Sequence, residues 1–511
     1  GLMRPKSIAV LGASSDPTKI GHSVLKNIID GGYEGKIYPI NLKSEEILGI
    51  KCYKTMLDVP GEIDAAVVTI PAKFVLESIE EAGKKGVKGL IIITSGFSEV
   101  GNKEQEAELV SKAQEYGIRI LGPNIVGTLS NAEKLNASFA PVLPLPGKGA
   151  LVSQSGALLI AIDMATFTRR VGFEKLISIG NMSDVDFADL VEWLDQDENT
   201  SSISLYIEGF KDGRKFMDVA RKVTKPIIAL KAGVSAHGAA AAASHTGSLA
   251  GAAKVYGAAF QQSGIVQATD LGNLFDLSLA LSIQPPMKGD NLLIITNGGG
   301  VGVLATDAAE RVVLPLKFAP KDVQEELKKH MPAFGSAKNP VDLTGMAGYD
   351  WYNDSVRFSF AHEWVDGLAV LYCETAMTEP MDIAKGIKKA IDDSGIKDKP
   401  VCVSFVGGEK SEKAMQWLVE NGIPAYGGPD LAISALSALR EYALMKEIVT
   451  EPEEKLKNTN KSLALDIIKT AREDGRDALT EIEAKQVFAA YGLPITATLL
   501  AKTEEEAISM A

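Results

Sequence analysis

One local grammar recurs along this chain: a short apolar run, a turn of small and polar residues, then a stretch with helical periodicity. Apolar runs at 8–11, 37–40, 65–70, 90–93 and 118–121 alternate with such stretches. In 73–85, Val75, Leu76, Ile79 and Ala82 recur at helical spacing beside Glu77, Glu80, Lys84 and Lys85. Short strands that are apolar throughout, alternating with amphipathic helices, are covered on both faces. The pattern therefore predicts α/β units on parallel, doubly wound sheets.

The grammar restarts at Ala150 (ALVS, QSG, ALLIAIDMATF) and at Asn291 (NLLIIT, NGGG, VGVLATDAAERV). Further strand candidates follow at 176–179, 203–207, 226–230, 367–372 and 401–406. A stretch with Pro141, Pro144, Pro146, Gly147 and Gly149 punctuates the first two units. A length of 511 residues suits about three to four domains. Residues 446–465 are polar and charged and read as an exposed linker. Residues 479–511 then offer a helix and a strand-like segment, too short to close a core, so the chain reads as stopping inside a fourth domain. The competing expectation is an ordinary terminal helix.

The net charge is −13 and the pI about 5.1, which argues against nucleic-acid binding as the main task. Cys52, Cys373 and Cys402 lie far apart without C-x-x-C spacing. That argues against a disulfide framework or a zinc site and predicts a reducing, cytoplasmic setting. No metal site is expected in this chain. The Ala/Gly-rich run near 238–260 is broken by His245 and Lys254, so no membrane span is expected, and no signal-peptide pattern is present.

The first turn, Gly12 to Gly21, follows a strand and opens a helix, where free N–H groups can meet phosphate. It is not G-x-G-x-x-G, and the second strand ends in Asn41-Leu42-Lys43 rather than in a ribose-binding acid. A hydride-transfer cofactor is therefore disfavoured relative to another nucleotide-bearing ligand. Pro71, the Thr94–Glu99 turn and Asn124 sit at further strand ends, the edge where open α/β sheets bind ligands. Ser153-Gln154-Ser155-Gly156 and Asn297-Gly298-Gly299-Gly300 each sit between a strand and a helix. Two such helix N-termini aimed at one point would hold a phosphoryl group without Lys or Arg.

His245 lies among Ala, Gly and Ser, where a histidine can act as phosphoryl acceptor. Such a nucleophile needs a carboxylate to orient and balance the ring, and Glu208, ending the strand LYI, is the best candidate. A lone histidine is otherwise a surface or packing residue. His22, His237, His330 and His362 lack comparable surroundings, His237 being the nearest competitor.

LKAGVSAHGAAAAASHTGSLAG (230–251) resembles the phosphohistidine segment of the NDP-forming acyl-CoA synthetases, relatives of succinyl-CoA synthetase. GASSDPTKIG, YPIN, TIPA, TSGFSE and GPN resemble that family's CoA-binding domain, and SQSGAL, YIEG, TNGGGVGV and NPVDLTG also fit. LTEIEAKQVFAAYGLPI resembles the start of its ATP-grasp domain. The resemblance implies a Rossmann-like CoA-binding domain (1–140), a flavodoxin-like domain with the phosphohistidine loop (148–286), a second flavodoxin-like domain (290–448), a linker (449–470) and the beginning of an ATP-grasp domain (471–511).

It implies further that His245 is phosphorylated, with Glu208 as its carboxylate. Ser153, Gln154, Ser155 and Gly156, with Asn297, Gly298, Gly299 and Gly300, would hold the phosphoryl group. CoA would lie against Ser14, Lys19, Asn41, Lys43 and Ser95, on an edge that also includes Gly12, Ser15, Gly21, Pro71, Gly96, Phe97, Glu99 and Asn124. Val234 departs from the pattern, which often has a basic residue there.

The implied reaction interconverts acyl-CoA, ADP and phosphate with acid, CoA and ATP. The acid would be acetate or a short hydroxy acid such as 3-hydroxypropionate or 4-hydroxybutyrate. Mg²⁺ would assist at the nucleotide step on the largely absent ATP-grasp domain, with no prosthetic group. A symmetric homodimer or higher oligomer is the expected assembly. The competing readings are a CoA-sensing regulatory module without ligase activity and a dinucleotide-dependent oxidoreductase.

Overall fold

The computed structural model describes residues 1–235, 237–238, 253–450 and 459–510. They form two compact units, Gly1–Val449 and Thr450–Ala511.

In the first unit, parallel strands β1 (Ser7–Leu11), β2 (Lys36–Ile40), β5 (Ala65–Val68), β6 (Gly89–Ile92) and β7 (Arg119–Leu121) pair in the order β2-β1-β5-β6-β7. A small hairpin, β3 (Glu46–Ile47) and β4 (Ile50–Lys51), follows β2. The predicted helix at 73–85 is a 3₁₀ turn at Ala72–Phe74 followed by an α-helix over Val75–Lys85.

The second sheet contains β8 (Gly127–Ser130), β9 (Leu135–Ser138), β10 (Gly149–Ser153), β11 (Phe173–Ser178), β12 (Ser202–Ile207), β13 (Ile227–Lys231) and β14 (Ile265–Ala268). Its order is β14-β13-β12-β10-β11-β8-β9, parallel except where β8 joins β11 and β9. The hairpin β8–β9 therefore extends the second sheet, although the sequence placed residues up to 140 in the first domain. The apolar pattern could not show this, because short strands carry no mark of their partner.

The third sheet contains β15 (Leu292–Thr296), β16 (Val341–Asp342), β17 (Gly367–Cys373), β18 (Val401–Val406) and β19 (Ala425–Tyr426), in the order β16-β15-β17-β18-β19.

Setting the hairpins aside, all three sheets share one order: the first strand lies between the second and the third. Chain direction reverses across the sheet at that first strand, and a crevice opens there at the carboxyl ends. The turns at 12–21, 153–156 and 297–300 each follow the first strand of a sheet.

Buried apolar residues join the sheets. Ile8, Val10 and Val24 share a core with Val152, Ile203 and Leu205. Leu159 and Ile162, from the helix Gly156–Arg169, share another with Val301 and Ala305, from the helix Gly299–Arg311. The two helices that open at the phosphate-type turns thus build one core. Asn27 strengthens the first junction by donating to the C=O groups of Ser138 (2.9 Å) and Ala140 (2.7 Å).

In the second unit, helices span Lys461–Glu473, Glu481–Ala490 and Glu504–Met510. Much of the stretch read as a linker is thus helical, with Asn460 capping Lys461–Glu473 through Leu463 N–H. Thr480 and Glu483 form a reciprocal capping box that starts Glu481–Ala490. The strand-like segment expected within 479–511 is not found as a strand among the described residues, where 493–501 carry no regular structure.

Candidate active site

The first turn is closed by its glycines. Gly12 has φ +85°, where a side chain would be strained, and a Cβ on Gly21 would fall 1.9 Å from the Gly12 carbonyl oxygen. Asn41 fastens the turn to the end of β2: its amide donates to Ala13 C=O (2.8 Å), and its Oδ1 accepts from Lys43 N–H (2.8 Å) and Ser44 N–H (3.0 Å). Asn41 is thus a brace for the turn. Ser14 accepts from Asp16 N–H (3.1 Å). Ser15, Lys19, Lys43, Pro71 and Ser95 remain exposed on the same edge. The turn is a cradle of backbone groups with two exposed ammonium tails, Lys19 and Lys43, and it fits a phosphate-bearing ligand such as CoA.

Phe97 does not fit that edge. Its side chain is 0% exposed and packs with Ile79, Leu90 and Leu109, so it supports the turn from beneath. Glu99 turns inward too, accepting from Phe97 N–H (3.2 Å), from Gly96 N–H and from the Asn181 amide (2.7 Å). Burial pushes its carboxyl upward, but these donors outweigh that and hold it below the usual glutamate range.

A cavity of about 1070 Å³ opens between the first and second sheets. One wall carries Glu99, Glu106 and Asn124, the other Gln154, Ser155, Gly156, Asn181 and Glu208. The Asn181 amide also donates to Glu106 (2.8 Å), which accepts from Ser98 N–H (3.1 Å), and Asn124 reaches Asn181 Oδ1 (3.3 Å). Asn181 therefore ties both walls together.

The turn after β10 is spent partly on itself. Ser153 is 0% exposed and donates to Ser155 C=O (2.8 Å). Ser155 caps the helix Gly156–Arg169, accepting from Leu158 N–H. Gln154 reaches across the crevice: its Oε1 accepts from the N–H groups of Glu208 and Gly209, the latter at 3.0 Å. Glu208 is 8% exposed. Lys231, buried at the end of β13, donates to Glu208 C=O at 2.9 Å. Burial lowers the Lys231 ammonium below the ordinary lysine range, with the charge of Glu208 opposing.

The third sheet repeats the device. Asn297, 2% exposed, donates to Cys373 C=O (3.0 Å) and accepts from Cys373 N–H (2.8 Å). Both ends of its amide bind β17, so Asn297 acts as a latch. Gly298 N–H donates to Thr296 Oγ1 (3.0 Å). Gly299 and Gly300 are exposed at the start of their helix, and a Cβ on Gly300 would meet nothing within 4 Å.

Residues 6–130 match the CoA binding domain family, 146–281 the succinyl-CoA ligase-like flavodoxin domain, 292–447 the ligase-CoA domain and 470–511 the ATP-grasp domain. The chain is 52% identical over 456 residues to the alpha subunit of an ADP-forming acetate–CoA ligase I from Pyrococcus furiosus, covering 87% of this chain and 98% of that one. It is 43% identical over 511 residues to an ADP-forming acetate–CoA ligase from Methanocaldococcus jannaschii, covering 99% of this chain and 72% of that one. This chain belongs to the ADP-forming acid–CoA ligase family. A solved structure agrees: a dinucleotide-forming acetyl-coenzyme A synthetase 1 from Ca. Korarchaeum cryptofilum, in complex with phosphate and ADP. It superposes with a TM-score of 0.85 at 46% identity, covering 89% of this chain and 98% of that one.

As a member of that family the chain is an acid–thiol ligase working with CoA and an adenine nucleotide. Among the described residues, no helix of this ligase is long and apolar enough to cross a membrane. His245 lies outside the described residues; His237 is described and exposed. Sequence reasoning missed Asn181, Glu106 and Lys231. Asn181 carries the same signal as the other turns, a small polar segment (Gly180 to Ser183) after a strand. Glu106 and Lys231 carry none, since a helical Glu and a strand-end Lys are ordinary surface residues until their burial is seen.

Proposed function

We propose that this ligase interconverts acyl-CoA, ADP and phosphate with a small carboxylic acid, CoA and ATP through an acyl phosphate and a phosphohistidine on His245. The observation that carries the reading is the Gln154 bridge. It locks the turn that opens the helix Gly156–Arg169 to the strand end bearing Glu208, on the wall of a cavity whose other wall is the CoA-type domain.

In the ATP-yielding direction, a phosphate oxygen attacks the thioester carbon, the C–S bond breaks and CoA leaves as its thiolate. An imidazole nitrogen of His245 then attacks the phosphorus, the bond to the acyl oxygen breaks, and the acid departs as carboxylate. The phosphoryl group next passes to ADP. N–H groups at Ser155, Gly156, Gly299 and Gly300 face the charge on the moving phosphoryl group, and Glu208 balances the imidazolium. CoA lies along the Gly12–Gly21 cradle, with Lys19 and Lys43 meeting its phosphates.

Acetate is the proposed acid, as in the names of the two relatives. A cytoplasmic setting and a symmetric oligomer complete the reading; the three free cysteines accord with the former. Among the described residues no group of three or more His, Cys, Asp or Glu side chains could hold a metal ion. At nucleotide sites Mg²⁺ is held largely by phosphate oxygens and one or two carboxylates; it would act with the ATP-grasp part, and no step is routed through it.

The test is CoA release from a panel of acyl-CoAs, with and without inorganic phosphate. Phosphate-dependent release that is fastest with acetyl-CoA supports the reading. Phosphate-independent release, or none with any thioester, contradicts it.

A further inference from the structure

Lys231 has a place that the proposed steps do not use. It is 4% exposed, and its ammonium donates to the C=O groups of Glu208 (2.9 Å) and Ala232. The same ammonium stands 4.5 Å from the centroid of the Tyr256 ring, in the helix Ala253–Gln262. A buried ammonium is costly unless its donors are met, and here two carbonyls and an aromatic face meet it.

The three partners are not neighbours in sequence. Glu208 follows β12, Ala232 follows β13, and Tyr256 lies beyond the segment that contains His245. One cation therefore joins the carboxylate's strand end to the chain on both sides of the histidine segment. Because Gln154 accepts from Glu208 N–H, the backbone of Glu208 is gripped from both directions. The N–H meets an amide oxygen, and the C=O meets an ammonium.

We infer that Lys231 is a positioning residue for phosphoryl transfer, fixing the Glu208 strand end to the two chain segments that flank His245. The inference rests on the assignment of His245 and Glu208 proposed above. Its physical reason is orientation. A nucleophile carried on a long segment gains from having both roots of that segment tied to the group that must meet it, and a misplacement of about 1 Å can cost roughly 100-fold in rate.

The test uses the whole chain with acetyl-CoA and radiolabelled inorganic phosphate, following the initial rate of acid-labile label on the protein. Lys231→Met keeps the apolar stem and removes both hydrogen bonds. The expected result is a saturating rate at least tenfold lower, on the order expected for lost orientation, with the half-saturating acetyl-CoA concentration nearly unchanged. Lys231→Gln, which keeps a donor without the charge, should give an intermediate rate, and it decides the matter if the Met variant fails to fold.

A purely structural role would lower the melting temperature without that split. A folded variant that labels at the wild-type rate overturns the inference, as does one that loses rate and acetyl-CoA affinity together. If the wild-type chain takes no label, the assignment of His245 fails and the inference falls with it. If the wild type labels and Lys231→Met labels equally well, only the inference falls.

Discussion

The side-chain oxygen of Gln154 accepts the backbone N–H groups of both Glu208 and Gly209, so a residue of one strand-end turn sets the backbone of the next strand end. Asn297 does the same for Cys373 in the following sheet. In each case a side chain just after the first strand spans the point where the strand order reverses, and so ties two neighbouring strand ends together.

If the Gln154 bridge orients Glu208, Gln154→Leu slows phosphoryl labelling of the chain by about 10- to 100-fold. Two backbone N–H groups also lose their acceptor, which costs about 1–3 kcal/mol for each that stays out of water, read by urea unfolding. Wild-type labelling in a folded Gln154→Leu would show that Glu208 needs no such brace.

Gly300 separates fold from function. Nothing lies within 4 Å of a Cβ added there, and alanine suits a helix better than glycine by about 1 kcal/mol. Gly300→Ala should therefore melt at or above the wild-type temperature. It should still label more slowly, because the added methyl occupies the space assigned to the phosphoryl group. Unchanged labelling would remove Gly300 from the phosphate site.

At the CoA edge the expectation is reversed. A Cβ on Gly21 would sit 1.9 Å from the Gly12 carbonyl oxygen, so Gly21→Ala forces the first turn open. Calorimetric titration should show CoA binding weakened by at least about tenfold, which corresponds to about 1.4 kcal/mol. A CoA affinity equal to wild type would place the cofactor elsewhere.

Asp163 gives a pH signature. It is 0% exposed in the helix Gly156–Arg169, and burial pushes its carboxyl up to about 7. Across pH ~4 to ~7 the folded chain holds a proton that the unfolded chain has released. Stability therefore falls as pH rises through that window, by up to about 4 kcal/mol. Asp163→Asn should lack this loss and gain on the wild type between pH 5 and 7.5 in urea unfolding. Parallel pH profiles for the two proteins would contradict the buried, protonated state.

The three phosphate-type turns were legible because each follows an apolar strand and precedes a helix, a pattern that local sequence carries. The order of the strands was not, since pairing partners are set by packing: the hairpin β8–β9 extends the second sheet from within residues that the sequence groups with the first domain. At the site, Glu208 was legible as the end of a strand, but its two clamps were not. Lys231 and Gln154 act across the crevice, at separations of 23 and 54 residues from Glu208. Phe97 was misplaced for a related reason: a turn residue between exposed neighbours can still point inward to fill a core.

The central claim is that His245 carries the phosphoryl group beside Glu208. The most direct measurement is peptide mass spectrometry of the chain after incubation with acetyl-CoA and inorganic phosphate, alongside His245→Ala and Glu208→Gln. The account predicts acid-labile phosphate on the His245 peptide of the wild type, none in His245→Ala, and a sharply reduced amount in Glu208→Gln. Phosphate on another residue, or equal phosphate in His245→Ala, would contradict it.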